Sequence, residues 1–143
     1  MSAKPEDLVT RHLRLGWGMF FFFLVAGAVL EALHGFKVGW YVGGAAETRR
    51  LLWTLAHAHG TLFGLAHVAL AATIKLAPDS RWSGLESHAF TAGSLMVPLG
   101  FFLGGVRIYD GDPGLGVLLV PPGVLLLAFG ALLVFFRVRR TSA

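Results

Sequence analysis

Apolar residues along the chain fall into four long blocks, separated by short segments that carry glycine, proline and charge. The blocks cover about residues 13–34, 51–76, 86–108 and 115–136. Each is long enough to cross a bilayer as an α-helix, which takes about 20 apolar residues. The segments between them are GFKVGWYVGGAAETRR, APDSRWSG and YDGDPG, and their composition is typical of loops at the membrane surface. The pattern predicts an all-α chain with four transmembrane helices.

The composition agrees with one membrane domain over residues 1–143. The chain is 55% hydrophobic and only 14% charged, whereas about 25% of residues are charged in a typical soluble domain. The first block lacks a small-residue cleavage site, so we interpret it as a retained helix rather than a signal peptide. Because helices in lipid must satisfy their own backbone hydrogen bonds, a four-helix bundle is the expected architecture. We expect the protein to lie in the bilayer of a bacterial inner membrane.

The positions of lysine and arginine predict the orientation of the chain. Eight lie in the two tails and the second loop: Lys4, Arg11, Arg14, Lys75, Arg81, Arg137, Arg139 and Arg140. Four lie in the first and third loops: Lys37, Arg49, Arg50 and Arg107. The positive-inside rule therefore places both termini in the cytoplasm. Since these cations flank the spans as anchors, no nucleic-acid partner is expected.

The first span carries two ionisable residues near its predicted outer end. Glu31 and His34 are three positions apart, so they share one face of the helix. The same face carries Gly16, Phe20, Phe23 and Gly27. A carboxylate within a span is costly and normally faces the protein interior. This face is therefore expected to pack against another helix.

The second span carries three histidines, which the helical period separates. His57 and His67 lie on one stripe with Gly60 and Gly64, a G-x-x-x-G pair of the kind that packs helices together. His59 lies on the opposite side of the helix. Three explanations of His59 stay open: a separate contact, a distorted start of the helix, or a second subunit.

The polar residues of the first two spans form the main candidate site. His34 ends the first span and His57 begins the second, so the two imidazoles lie at similar depth. Glu31 can orient an imidazole by hydrogen bonding. We expect Glu31, His34, His57 and His59 to bind haem b or copper in the outer half of the bilayer.

Other polar residues are weaker candidates. His67 and His88 form a candidate second site in the inner half, and Arg107 and Tyr109 are candidates to contact a substrate or a haem propionate. His12 is expected to be solvated at the inner interface. Pro98 is expected to kink the third helix, and the PPG segment to break or bend the fourth.

Two kinds of metal chemistry are excluded or disfavoured. The chain has no cysteine, which excludes disulfides, iron–sulfur clusters and thiolate metal sites. Glu31 and His34 match the Glu-x-x-His pair of di-iron helical bundles, but the chain has no second pair of this kind. A di-iron centre is therefore less favoured than haem or copper.

Two short segments resemble known families. EALHG, which begins at Glu31, resembles the Glu-x-x-His segment of the haem A synthase family, whose halves are four-helix bundles with histidine-ligated haem. HAHGTLFG, which begins at His57, is similar to His-x-His-x-x-x-x-Gly segments of bacterial membrane families associated with haem or copper. The resemblance implies that Glu31, His34, His57 and His59 serve a haem or a metal. Gly35 stands where haem A synthases have arginine.

Three functions stay open at this level. The leading hypothesis is a redox protein for electron transfer, small-molecule oxidation or assembly of a respiratory complex, and an oxidoreductase if it is an enzyme. The alternatives are a small proton or cation transporter and a non-catalytic structural subunit of a membrane complex. A homo-oligomer or a larger membrane complex is expected in each case.

Overall fold

The computed structural model describes residues 4–78, 80 and 82–139. Within these residues the helices are α1 (Pro5–Gly35), α2 (Gly39–Val42), α3 (Glu47–Leu76), α4 (Gly84–Val106) and α5 (Val120–Arg139). Short 3-10 helices cover Gly44–Ala46 and Leu115–Leu119. Four segments are long and apolar enough to cross a membrane: α1, α3, α4 and Leu115–Arg139. The all-α prediction with four such helices is confirmed. Arg81 and Arg140, two of the predicted anchors, lie outside the described residues.

The long helices pack in the order in which they follow one another in the chain: α1 on α3, α3 on α4, and α4 on α5. The two middle helices are the most buried. In the most apolar stretches of α3 and α4, 33% and 44% of residues are buried, compared with 17% in α1 and 11% at α5. Polar residues of α3 and α4 are therefore the ones most sheltered from the surroundings of the helices.

Close packing of α1 on α3 depends on glycine. A Cβ atom at Gly16 would lie 2.8 Å from the carbonyl oxygen of Gly64, and one at Gly64 would lie 2.7 Å from the backbone nitrogen of Phe20. Gly60 packs against the ring of Phe23 in the same way. The predicted G-x-x-x-G pair is thus confirmed as a packing surface, and its partner is the first helix of the same chain.

A small β-hairpin marks one end of the helices. Its strands, β1 (Ile108–Tyr109) and β2 (Asp112–Pro113), are antiparallel. Asp110 and Gly111 form the turn with φ of 50° and 95°, as expected for the Asp-Gly pair of a type I′ turn. We call this end, which also holds residues 36–46, the hairpin side. The opposite end, where α1 begins and α5 ends, is the termini side.

The prolines have different effects in the two last helices. α4 continues through the buried Pro98 as one helix, so this proline does not end it. Before α5 the chain changes from a 3-10 helix to an α-helix, and Pro121 and Pro122 lie in the first α-helical turn. Proline is tolerated there because the first N–H groups of a helix have no helical acceptor. The PPG segment was predicted to break or bend the helix, but α5 runs through it, and the change of helix type lies just before it.

Candidate functional site

The most deeply buried polar side chains lie on the termini side, between α1, α3 and α4. His12, His67 and Ser94 are each 0% exposed. His12 is one helical turn from Gly16, and His67 is about one turn from Gly64. The glycine contact between α1 and α3 therefore brings the two imidazoles together.

Hydrogen bonds join these three side chains across three helices. Nδ1 of His12 lies 2.7 Å from Nδ1 of His67, and the two rings stack with centroids 4.9 Å apart. Nε2 of His67 lies 2.8 Å from Oγ of Ser94. The Ser94 hydroxyl in turn donates to the carbonyl oxygen of Thr91 at 2.9 Å. The result is a continuous series of hydrogen bonds from α1 through α3 to α4.

The donors and acceptors in this series of hydrogen bonds follow from the role of Ser94. A serine hydroxyl has one proton, and Ser94 donates it to Thr91, so Oγ must accept a hydrogen bond from Nε2–H of His67. A neutral His67 then has a bare Nδ1, which accepts from Nδ1–H of His12. His12 is left with an unprotonated Nε2. This atom is buried and has no hydrogen-bond partner among the described residues.

Two hydroxyls of α4 extend the same polar region. The side-chain oxygens of Ser87 and Thr91 are buried without a hydrogen-bond partner in the described part of the chain. They share a helical face with Ser94, at intervals of four and three residues. A buried polar atom without a partner costs about 1–3 kcal/mol. His12, Ser87 and Thr91 therefore each carry such a cost within the described residues.

Charged residues surround these hydrogen-bonded side chains on the termini side. His88 is exposed, and its Nε2 lies 3.3 Å from Nη1 of Arg11. Glu86 is 2% exposed and lies 3.6 Å from Nε of Arg137, which joins α4 to α5. Glu86 also caps α4, because its carboxylate accepts the backbone N–H of Ser83 at 2.7 Å.

Two predictions for the termini side change in consequence. The structure does not join His67 to His88; it pairs His67 with His12 instead. The expectation that His12 is solvated is wrong, because the face of α1 that packs on α3 continues one turn before Gly16. The position of His12, four residues before Gly16 on the same helical face, is the sequence signal that predicts its burial. The capping box Ser83-x-x-Glu86 is the signal that finds Glu86.

The structure does not bring together the four residues that were predicted to form the main site. Glu31 and His34 are exposed near the hairpin side. His57 packs against Gly27, one turn nearer the termini side than Glu31, and donates Nδ1–H to the carbonyl of Phe23 at 2.6 Å. Among residues 4–78, 80 and 82–139, no three His, Asp or Glu side chains are grouped so that they could hold a metal ion.

His59 makes the separate contact that was one of its three explanations. Its ring packs against Phe101 of α4 and Phe63, with centroids 5.1 and 5.8 Å apart. Its Nδ1–H donates to the carbonyl of Leu55 at 2.8 Å. α3 is a continuous helix here, so His57 and His59 face different neighbours, α1 and α4.

The last two predicted residues lie on the hairpin side. Arg107 follows the last residue of α4 and Tyr109 ends β1, and both are exposed. The hairpin itself is tied to α3 by Thr48, whose hydroxyl donates to the carbonyl of Gly111 at 2.6 Å. Contact of Arg107 or Tyr109 with a substrate or propionate stays a prediction.

A cleft of about 650 Å³ opens on the hairpin side between α1, α2 and the start of α3. Glu31 and His34 line it together with Tyr41 and Arg50. Its volume lies within the roughly 300–1,000 Å³ of small-molecule sites. Two of the predicted site residues therefore share a cleft, whereas His57 and His59 do not line it.

No protein-family model, no curated protein and no solved structure matches the chain.

Proposed function

We propose that this chain is an integral membrane redox protein that binds haem b, which Nε2 of His12 would hold. The observation that carries the proposal is the buried, unprotonated and unpartnered Nε2 of His12. Haem iron is commonly held by one histidine. Bound haem supplies a one-electron redox couple.

The surroundings of His12 are those of an oriented ligand. A ligating histidine normally donates its other ring N–H to an acceptor, which fixes the tautomer and the ring orientation. His12 donates Nδ1–H to His67, and His67 is held in turn by Ser94. His67 and Ser94 are thus positioning residues. Arg11 and Arg14, exposed near the start of α1, are cations suited to pair with propionates.

Copper is less well supported by the same geometry. Copper sites use two or three imidazoles, and the described residues provide no group of three histidine or acidic side chains. The joined pair, His12 and His67, uses both Nδ1 atoms in its own hydrogen bond. Copper binding at this pair would have to displace the proton between the two Nδ1 atoms and separate the rings.

Transport is disfavoured by the packing of the middle of the chain. Between His67 and His57, α3 contacts α1 directly at Gly64 and Gly60. A proton or cation would have to part these helices in order to pass from one histidine to the other. A homo-oligomer or a larger membrane complex stays a prediction.

The test is an optical spectrum of the protein purified in lipid nanodiscs and supplied with haem b. We expect a Soret band that is lost in His12→Gly and restored when free imidazole is added, since imidazole replaces the missing ring without refolding. His57→Ala is the matched variant and should keep the band. Ser94→Ala should keep the band but shift the midpoint potential, because the orientation of His67 changes.

Two results would overturn the assignment. The absence of a Soret band in the unaltered protein would remove haem binding altogether. Loss of the band in His57→Ala, with His12→Gly unaffected, would instead favour the site predicted at Glu31, His34 and His57.

We also propose that both termini face the cytoplasm of a bacterial inner membrane, on the basis of the lysine and arginine distribution. The lack of cysteine makes this directly measurable. In intact cells, a membrane-impermeant maleimide should label Lys37→Cys and should not label Lys4→Cys. Labelling of Lys4→Cys alone would reverse the orientation.

A further inference from the structure

The cleft on the hairpin side has walls of mixed character. Leu30 and Leu51 contribute apolar surface, and the buried Tyr41 lies at the edge of the cleft. Glu31 and His34 line the end of α1. A cavity of this kind suits a ligand with a polar head and a small apolar body.

The wall formed by residues 39–43 is held in place by arginine. Nη1 of Arg50 donates to the carbonyl oxygens of Tyr41 and Gly43 at 3.1 and 3.2 Å. Nε of the neighbouring Arg49 donates to the carbonyl of Gly105 on α4 at 3.1 Å. Tyr41 also stacks on Trp53 of α3, with centroids 6.3 Å apart. The cleft is therefore built before any ligand enters.

The charge of the cleft favours a cation. Three charged side chains line it: Glu31, Glu47 and Arg50. The guanidinium of Arg50 donates hydrogen bonds to the carbonyls of Tyr41 and Gly43 and lies 4.0 Å from the carboxylate of Glu47. No lysine, arginine or histidine among the described residues forms a salt bridge with Glu31. With His34 neutral, the lining carries one net negative charge.

We propose that this cleft binds an organic ammonium group, which pairs with Glu31 and packs its methyl or methylene groups on Leu30 and Leu51. A metal ion is not the ligand expected here, because the described residues form no group of three metal-binding side chains. The ammonium group can belong to a free amine or to a lipid headgroup.

The test is calorimetric titration of choline into the full chain in nanodiscs of phosphatidylglycerol, which has no ammonium group. We expect saturable binding that is at least tenfold weaker in Glu31→Gln. Glu6→Gln is the matched control, because Glu6 is an exposed carboxylate at the other end of α1, and it should bind choline normally. The neutral isostere 3,3-dimethylbutan-1-ol should bind at least tenfold more weakly than choline.

Repeating the titration in phosphatidylcholine nanodiscs separates the two sources of the group. Loss of choline binding there supports occupancy by a lipid headgroup, and unchanged binding supports a free amine. Equal binding of choline and its neutral isostere, or unaltered affinity in Glu31→Gln, would overturn the proposal. Haem binding is measured separately by the Soret band, so either proposal can fail without the other.

Discussion

The contact between Gly16 and Gly64 should control both the stability of the fold and the His12–His67 hydrogen bond. In Gly16→Ala, the new Cβ would lie 2.8 Å from the carbonyl oxygen of Gly64 and 3.0 Å from the backbone nitrogen of Val68. Ordinary contacts of Cβ begin at 3.4 Å, so the two backbones must separate by about 0.6 Å. Overpacking of this kind typically costs about 1–3 kcal/mol.

The same displacement reaches the histidines one turn away. The Nδ1–Nδ1 distance between His12 and His67 is 2.7 Å. An added 0.6 Å would stretch it past the upper end of the hydrogen-bond range, which is about 3.2 Å. Nitrogen NMR of the imidazoles should therefore show that Nδ1–H of His12 is no longer hydrogen-bonded to Nδ1 of His67.

Gly18→Ala is the matched control on the same helix, because a Cβ at Gly18 has no atom within 4 Å. Its effect on the free energy of unfolding should stay within about 0.5 kcal/mol, or should be slightly stabilising. Reversible unfolding of both variants in mixed detergent micelles measures the difference. Equal stabilities of Gly16→Ala and Gly18→Ala, or unchanged imidazole signals in Gly16→Ala, would refute the reasoning.

Two further predictions concern the ends of the helices. Glu86→Gln should lower the free energy of unfolding by about 1–3 kcal/mol, because it removes the buried carboxylate from its ion pair with Arg137 and weakens the cap of α4. The control Glu47→Gln, at a carboxylate that is 78% exposed, should change the free energy of unfolding by less than about 0.5 kcal/mol. Similar losses in Glu86→Gln and Glu47→Gln would contradict the stabilising role of Glu86. Thr48→Val removes the hydroxyl that holds Gly111, so amide hydrogen exchange of residues 108–113 should accelerate several-fold; unchanged exchange would show that the hairpin stands without it.

The long helices could be predicted from the sequence because each contains an uninterrupted apolar stretch long enough to cross a membrane. The predicted first span begins at residue 13, whereas α1 begins at Pro5. Hydropathy detects the apolar stretch but not the more polar turns that extend a helix beyond it. The hairpin at Asp110 and Gly111 was also missed, although an Asp-Gly pair is a strong turn signal.

The candidate site was harder to predict, because helical phase assigns a residue to a face but not to a neighbour. The phase of α3 correctly separated His57 and His67 from His59. It could not show that His67 meets His12, since their meeting depends on how α1 and α3 are shifted along each other. That shift is set by the contact of Gly16 with Gly64.

α3 carries three of the histidines and has the lowest mean hydropathy of the four long helices. Its two polar faces are covered by α1 at His57 and by α4 at His59. Insertion of a helix into lipid is favoured by its apolar surface, so α3 has the least tendency to enter a bilayer alone. During biosynthesis it should enter as a pair with α1 and become fully stable only when α4 follows. A chain truncated after residue 78 is therefore expected to be degraded rather than to persist as a two-helix fragment.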